Sequence, residues 1–254
     1  MNERKAVRIS LPPLRMLKTI PPGGAEETFD TPEALEINRA RMDHLDSMGL
    51  PLAGKRVLDV GAGVGHLAQF FISKGCEVIC VDGREENIAA LSHRYPGLRG
   101  IVLNVESDPL AALGRFDIVF CYGLLYHLEN PIAAIRNMEA VCDEILLLET
   151  VVTDHHLPLL RLDEETYAVS QALRGFGSRP SPSYVVFSLT SAGFAAVYAP
   201  LRPPQHPDFE VEWRDDLSFS RDGHLLRSIF IASRREIDNP GLVLLHRSPN
   251  SEGI

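Results

Sequence analysis

Asp59, Gly61, Gly63 and Gly65 lie together in Val57-Leu58-Asp59-Val60-Gly61-Ala62-Gly63-Val64-Gly65, an apolar run that breaks into glycines. Glycines at such a break let the backbone turn tightly and approach a ligand, with the N-terminus of a following helix aimed at it. A dinucleotide fingerprint, G-x-G-x-x-G, would need glycine or alanine at position 66, where His66 stands. Asp59 precedes the loop by two residues, where a carboxylate repels a pyrophosphate but suits an ammonium group. Asp82 ends the next apolar run, 21 residues after Gly61, the place where an acid accepts hydrogen bonds from ribose hydroxyls.

One acid for an amino-acid ammonium and one for a ribose describe S-adenosylmethionine better than NAD. Other side chains could act on a second ligand. His127 follows the apolar run Phe116–Cys121, and an imidazole there is either a base working near neutral pH or a structural hydrogen-bonding group. Glu149, Asp154, His155 and His156 could hold a divalent metal. Adjacent histidines on an extended chain point apart, however, and the spacing matches no metal-ligand pattern, so no metal is expected. Asn38, Arg39 and Arg41 form a polar group ahead of the first strand, able to close over a ligand or simply to face solvent.

The elements that must position these groups alternate regularly. Strands are expected at Arg56–Val60, Glu77–Val81, Gly100–Leu103, Phe116–Cys121 and Glu144–Leu148, with helices at Leu67–Ser73, Glu85–Arg94 and Pro131–Val141 between them. Near-continuous apolar strands separated by helices predict a parallel sheet covered on both faces. Thr31 caps a helix that opens at Pro32 and runs to Gly49. After Thr150 the rhythm breaks, and residues 151–181 read as an insertion with Gly175 and Gly177 as hinges. A helix at Ser183–Ala192 and strands at Phe194–Tyr198 and Leu226–Ala232 complete the pattern, with a proline-rich surface connection over residues 199–224. The expected organisation is an arm over 1–30, a catalytic domain over 31–235 and a weakly ordered tail over 236–254.

The chain has 254 residues, of which 45% are hydrophobic and 23% charged, the composition of a globular protein. A formal net charge of −9 argues against a surface built to neutralise a phosphate backbone. The four cysteines form no C-x-x-C pair and read as buried thiols in a reducing compartment. No apolar run reaches the length of a bilayer span, and the N-terminus lacks an apolar signal core. The expectation is a cytoplasmic enzyme.

With its D-x-G-x-G-x-G loop and the acid at Asp82, the chain resembles the class I S-adenosylmethionine-dependent methyltransferases. That resemblance implies a Rossmann-like α/β fold: a seven-stranded, mostly parallel sheet with helices on both faces and a substrate lid after the fifth strand. It assigns Asp59, Gly61, Ala62, Gly63, Gly65, Asp82 and Gly83 to the cofactor, with Asn104 near the adenine amino group and Val105 packed on the ring. The segment through Cys121 and Tyr126 would run beneath the cofactor and into the acceptor pocket. Arg179-Pro180-Ser181 and Ala192-Gly193-Phe194 resemble a helix boundary of the tRNA wobble-uridine carboxymethyltransferases, and Ser181 also explains itself as a helix cap. Tyr167, Gln171 and Arg179 are the polar lid groups that could meet an acceptor, His127 the candidate base. The acceptor expected is a small molecule or glycan methylated on oxygen; the alternatives are a tRNA-modifying enzyme, against which the acidic balance stands, and a catalytically silent cofactor-binding protein, against which the intact loop and Asp82 stand.

Overall fold

The apolar runs fold as the alternation requires. In the computed structural model, which describes residues 24–248, they form β1 (Arg56–Val60), β2 (Glu77–Asp82), β3 (Arg99–Val102), β4 (Phe116–Tyr122) and β5 (Cys142–Val151). These five strands are parallel and lie in the order β5-β4-β1-β2-β3. Side chains alternate across each strand, so one sheet packs into two cores. Leu58, Val60, Val119, Leu146 and Leu148 face one way. Val57, Cys80, Ile118, Phe120 and Leu147 face the other.

Helix α1 (Ala25–Phe29) comes first, followed by α2 (Pro32–Ser47), whose first turn is capped by Thr31 accepting from the Ala34 N–H at 3.2 Å. The cap and the proline act together, since the proline has no N–H to satisfy. Helices α3 (Ala68–Ser73), α4 (Glu85–Arg94) and α5 (Pro131–Val141) connect the parallel strands. Helix α6 (Pro182–Ala192) is capped by Ser181 and stopped by Gly193, at φ 119°. It leads into β8 (Ala196–Pro200).

Three expectations need correction. The segment expected to be an arm holds α1; residues 1–23 of it lie outside the described residues. Among the described residues the sheet has eight strands, because β11 (Arg227–Ser233), β8 and β12 (Leu242–Arg247) extend it antiparallel beyond β5. Strand β12 lies in the stretch expected to be a weakly ordered tail, of which residues 249–254 are outside the described residues. Both faces of this edge strand lie largely in water, so no buried face imposes alternation on it, and Val243, Leu244 and Leu245 are all exposed.

The insertion begins at residue 152, since β5 runs through Val151. It contains the antiparallel hairpin β6 (Leu160–Glu164) and β7 (Phe176–Pro180), outside the main sheet. A second small hairpin, β9 (Ser220–Arg221) with β10 (His224–Leu225), sits in the proline-rich connection. No helix among the described residues is long and apolar enough to cross a membrane.

Candidate active site

At the carboxyl edge of β1 the chain turns through Gly61, Gly63 and Gly65, at φ 78°, 53° and 84°. The amides of Gly61 and Ala62 donate to the Val81 carbonyl at 2.8 and 3.1 Å, which ties the loop across to β2. Asp82 completes the turn. Its Oδ2 accepts from the Gly63 N–H at 3.0 Å, and its Oδ1 from the Arg84 N–H at 2.9 Å and Asn87 Nδ2 at 3.1 Å. Burial raises its pKa, against the pull of those donors.

A cavity opens here, walled by Gly61, Gly63, Asp82, Gly83, Asn104 and Val105. Six of the ten residues expected around the cofactor therefore meet in one place. Asn104 is also a turn residue, its Oδ1 accepting from the Glu106 N–H at 3.0 Å. Ala62 lines the neighbouring cavity instead.

Three expected residues line neither. Gly65 is a packing glycine: a Cβ there would lie 3.1 Å from Leu91 and 3.2 Å from Tyr95. Cys121 is fully buried in the core, because alternation along β4 turns it inward and the chain reaches the first cavity at Gly123 and Leu124. Asp59 is buried beneath the loop on the other face, its carboxylate 4.0 Å from Cys80 Sγ. Burial, with the nearby Asp82 charge, pushes its pKa up to about 7.

The insertion covers this cavity. Val169, Ser170, Gln171, Ala172 and Leu173 line it, and a Cβ on Gly83 would meet Leu173 Cδ1 at 2.6 Å. Arg84 Nη2 donates to the carbonyls of Gln171 and Ala172 at 3.2 and 2.9 Å, and Asn87 Nδ2 to that of Val169 at 3.1 Å. From the other side Phe29 of α1 lies against Gly63, where a Cβ would stand 3.0 Å from its ring.

A second cavity adjoins the first and shares Gly61, Gly63, Gly123, His127 and Gln171 with it. Its walls add Tyr126, Arg41, Asn38, Arg227, His206 and His224. Arg41 and Arg227 are buried and converge on the fully buried Glu149, at 2.6 and 3.0 Å. Arg227 also reaches Asp208 at 3.0 Å. Arg39, the third member of the polar group on α2, is exposed.

His127 ends a 3-10 turn (Leu125–His127) at the junction of the two cavities. Its Nδ1 lies 2.5 Å from Glu165 Oε2. Burial lowers the imidazole pKa, partly opposed by Glu165. Glu165 is itself buried, and its carboxyl is held below the usual range: burial works upward, but His127, the Ala172 N–H and Arg179 outweigh it. Arg179 pairs with Glu165 Oε1 at 2.9 Å and donates to the Tyr126 carbonyl at 2.7 Å. It is a buried brace and lines neither cavity. Tyr167 is exposed and packs on Gly175, also off both walls. Glu165, Arg227 and Leu173 had no marker in the sequence; Glu165 merely ends the acidic run Asp163-Glu164-Glu165.

The candidate metal set is not assembled. Glu149 is consumed by arginines, and buried Asp154 accepts from the amides of Arg214 and Asp215 at 2.7 and 3.0 Å and from Arg221 at 2.9 Å. His155 and His156 do not point apart: their rings stack at 4.8 Å, and Asp215 Oδ2 is bonded to His156 Nδ1 at 2.7 Å.

A model of the methyltransferase domain family matches residues 33–198, which include the glycine loop, Asp82, His127 and the lid. The chain belongs to that family. It is of the class I, S-adenosylmethionine-dependent kind. It is 34% identical over 158 residues to a tRNA U34 carboxymethyltransferase of Azotobacter vinelandii, covering 58% of this chain and 48% of that one. It is 35% identical over 99 residues to a ubiquinone biosynthesis O-methyltransferase of Psychrobacter arcticus, covering 37% of this chain and 38% of the relative. The chain thus spans half or less of these relatives' lengths. The fold matches the N-terminal domain of EvdMO1 with S-adenosylhomocysteine bound, at TM-score 0.59 and 20% identity over 78% of this chain and 80% of that one. It also matches a Burkholderia thailandensis 1,6-didemethyltoxoflavin-N1-methyltransferase, at TM-score 0.52 and 20% identity over 83% and 81% of the two chains.

Proposed function

We propose that the protein methylates an oxygen of a small-molecule or glycan acceptor bound in the second cavity, with His127 as the base. The carrying observation is that His127 lines both cavities at their junction.

In this reading the first cavity takes S-adenosylmethionine. Asp82 stands at its wall with a carboxylate suited to ribose hydroxyls, and positive φ at Gly61 and Gly63 brings backbone where a side chain could not follow. The sulfonium supplies an activated methyl group. What this chain adds is alignment and dryness: the segment Val169–Leu173 and Phe29 shut out water, and the cavity walls hold the acceptor in line. His127 Nε2 takes the proton from the acceptor hydroxyl as the oxygen bonds to the methyl carbon. Because burial lowers the His127 pKa, the ring is neutral, hence basic, at pH 7.

Incubation with radiolabelled S-adenosylmethionine and a panel of phenols, catechols and sugars should yield a methylated product. His127→Ala should lower turnover about 10²–10⁴-fold with cofactor affinity nearly intact. The parent rate should rise with pH through an inflection below the ordinary imidazole value and then level off, and the variant should lack that inflection. An undiminished rate in His127→Ala would remove the base from this reading.

The Azotobacter relative supports a second reading, transfer of a carboxymethyl or methyl group to tRNA. The net charge of −9 disfavours it. Unmodified tRNA separates the two, since only the second reading expects label in nucleic acid, from radiolabelled S-adenosylmethionine for a methyl group and from its S-carboxymethyl sulfonium analogue for a carboxymethyl group.

A further inference from the structure

Three donors converge on Glu165. The His127 ring approaches Oε2 at 2.5 Å, the Ala172 N–H donates to the same oxygen at 2.8 Å, and Arg179 Nη2 donates to Oε1 at 2.9 Å. The site has almost no water, for Glu165 is 4% exposed and the His127 side chain 11%. An ionised carboxylate has only acceptors to offer, so Nδ1 must carry the proton of that short contact. Nε2 is then the bare nitrogen, and it belongs to the ring that lines both cavities.

Resting on the reading of His127 as base, we infer that Glu165 is a positioning residue that holds this imidazole in its Nδ1–H tautomer and does so only while the lid is shut. The tautomer matters because a base needs a bare nitrogen facing the acceptor, and free imidazole favours the opposite form, with the proton on Nε2. A carboxylate behind a histidine fixes tautomer and ring orientation together.

The link to the lid is structural. Glu165 stands at the foot of the loop joining β6 to β7, its own N–H donating to the Gly175 carbonyl at 2.8 Å. Ala172 is within the stretch that covers the first cavity. One oxygen therefore reads both conditions: the cover in place through Ala172, and the base aligned through His127. Opening the cover strips a donor from that oxygen and loosens its hold on Nδ1, so the base is fully aligned only when the cavity is closed. Arg179 supplies the neutralising charge, and its second contact, to the Tyr126 carbonyl at 2.7 Å, anchors the residue beside His127.

Glutamine cannot substitute. It has one oxygen where the site presents donors to both, so its amide NH₂ must oppose either Arg179 or the His127–Ala172 pair. Glu165→Gln is close in size and leaves the fold the best chance of surviving.

The test uses the full chain labelled with ¹⁵N-histidine, with S-adenosylhomocysteine as the probe ligand. In the parent, the His127 nitrogen shifts should report the Nδ1–H form. In Glu165→Gln the tautomer ratio should move about tenfold or more toward Nε2–H, the size of one lost charge-assisted hydrogen bond. Amide exchange at Ala172 should accelerate in the same variant, with added S-adenosylhomocysteine restoring less protection than in the parent. A parent already in the Nε2–H form overturns the proposal without any variant, as does an unchanged ratio in Glu165→Gln. A shifted ratio with unaltered Ala172 exchange overturns the coupling to the lid. None of these readouts needs an acceptor. If His127→Ala keeps full turnover while the parent shows Nδ1–H, the base assignment has failed and the Glu165 contact has not.

Discussion

The two cavities at the carboxyl edge of the sheet are built differently. One wall of the first is made by chain neighbours: Gly61, Gly63, Asp82 and Gly83 belong to two consecutive strand ends, tied together through backbone amides. The second is made by distant ones. Arg41, the pair Tyr126 and His127, and Arg227 come from three separate stretches, and Arg41, His127 and Arg227 are held by buried carboxylates, Glu149 and Glu165. A wall made of backbone tolerates side-chain change except at its glycines and its one acid. A wall made of paired charges fails when any partner is lost, since a buried charge without its partner is costly.

The largest effect expected from this contrast is at Glu149. Glu149→Ala leaves the Arg41 guanidinium without a counter-charge and Arg227 with Asp208 only. Stability should fall by about 3–5 kcal/mol, as for other broken buried ion pairs, measurable by denaturant titration. A loss below ~1 kcal/mol would mean that the second cavity is as forgiving as the first.

Next comes Asp82→Ala. It removes the acid from the first cavity together with the acceptor for the Gly63 N–H. S-adenosylmethionine affinity should drop at least about tenfold by calorimetry, from the loss of charged hydrogen bonds worth roughly 1.5–3 kcal/mol. Unchanged affinity would detach the ribose role from Asp82.

Asp59 is a subtler case, because it lies beneath the loop rather than on the wall. Its pKa near 7 exceeds the ordinary value, so folding favours its protonated form. The stability it confers is full below the unfolded value near pH 4 and is lost as pH rises through about 7. A cationic ammonium above it would favour the ionised form instead. If that pairing exists, cofactor affinity should rise with pH through about 7 until the ammonium itself begins to lose its proton, a rise that Asp59→Asn abolishes. A flat profile in the parent would make Asp59 a loop support with no direct charge pairing.

The smallest expected effect is at Cys121. Buried within the core cluster, it should behave as packing. Cys121→Ala should cost about 1 kcal/mol of stability and leave cofactor affinity unchanged. A tenfold weaker cofactor would restore it to the site.

The parallel strands, the helix caps at Thr31 and Ser181, the glycine loop and Asp82 were legible because their determinants are local. Periodicity, turn conformation and a strand-end acid are written in adjacent residues. Even there the sequence could not separate glycines that approach a ligand from Gly65, which makes room for Leu91 and Tyr95. Nor could it place Cys121, since a shift of one residue along a strand exchanges wall for core.

The chain alone, then, determined the five parallel strands, their crossovers and the glycine and acid wall of the first cavity, because short-range backbone chemistry dictates each of them. Tertiary structure decided the rest. Arg179 and Tyr167, polar and close in sequence to Gln171, became a buried brace and a surface ring, while Gln171 alone reached both cavities. Glu149 turned from a possible metal ligand into the counter-ion of two arginines, one before it and one after it in the chain by some 80 to 110 residues. Glu165 became the partner of His127 across 38 residues. An ionic pair formed across a folded surface leaves no period, spacing or turn in the chain that precedes it; the charges meet only where the packing of the sheet and its lid brings them together.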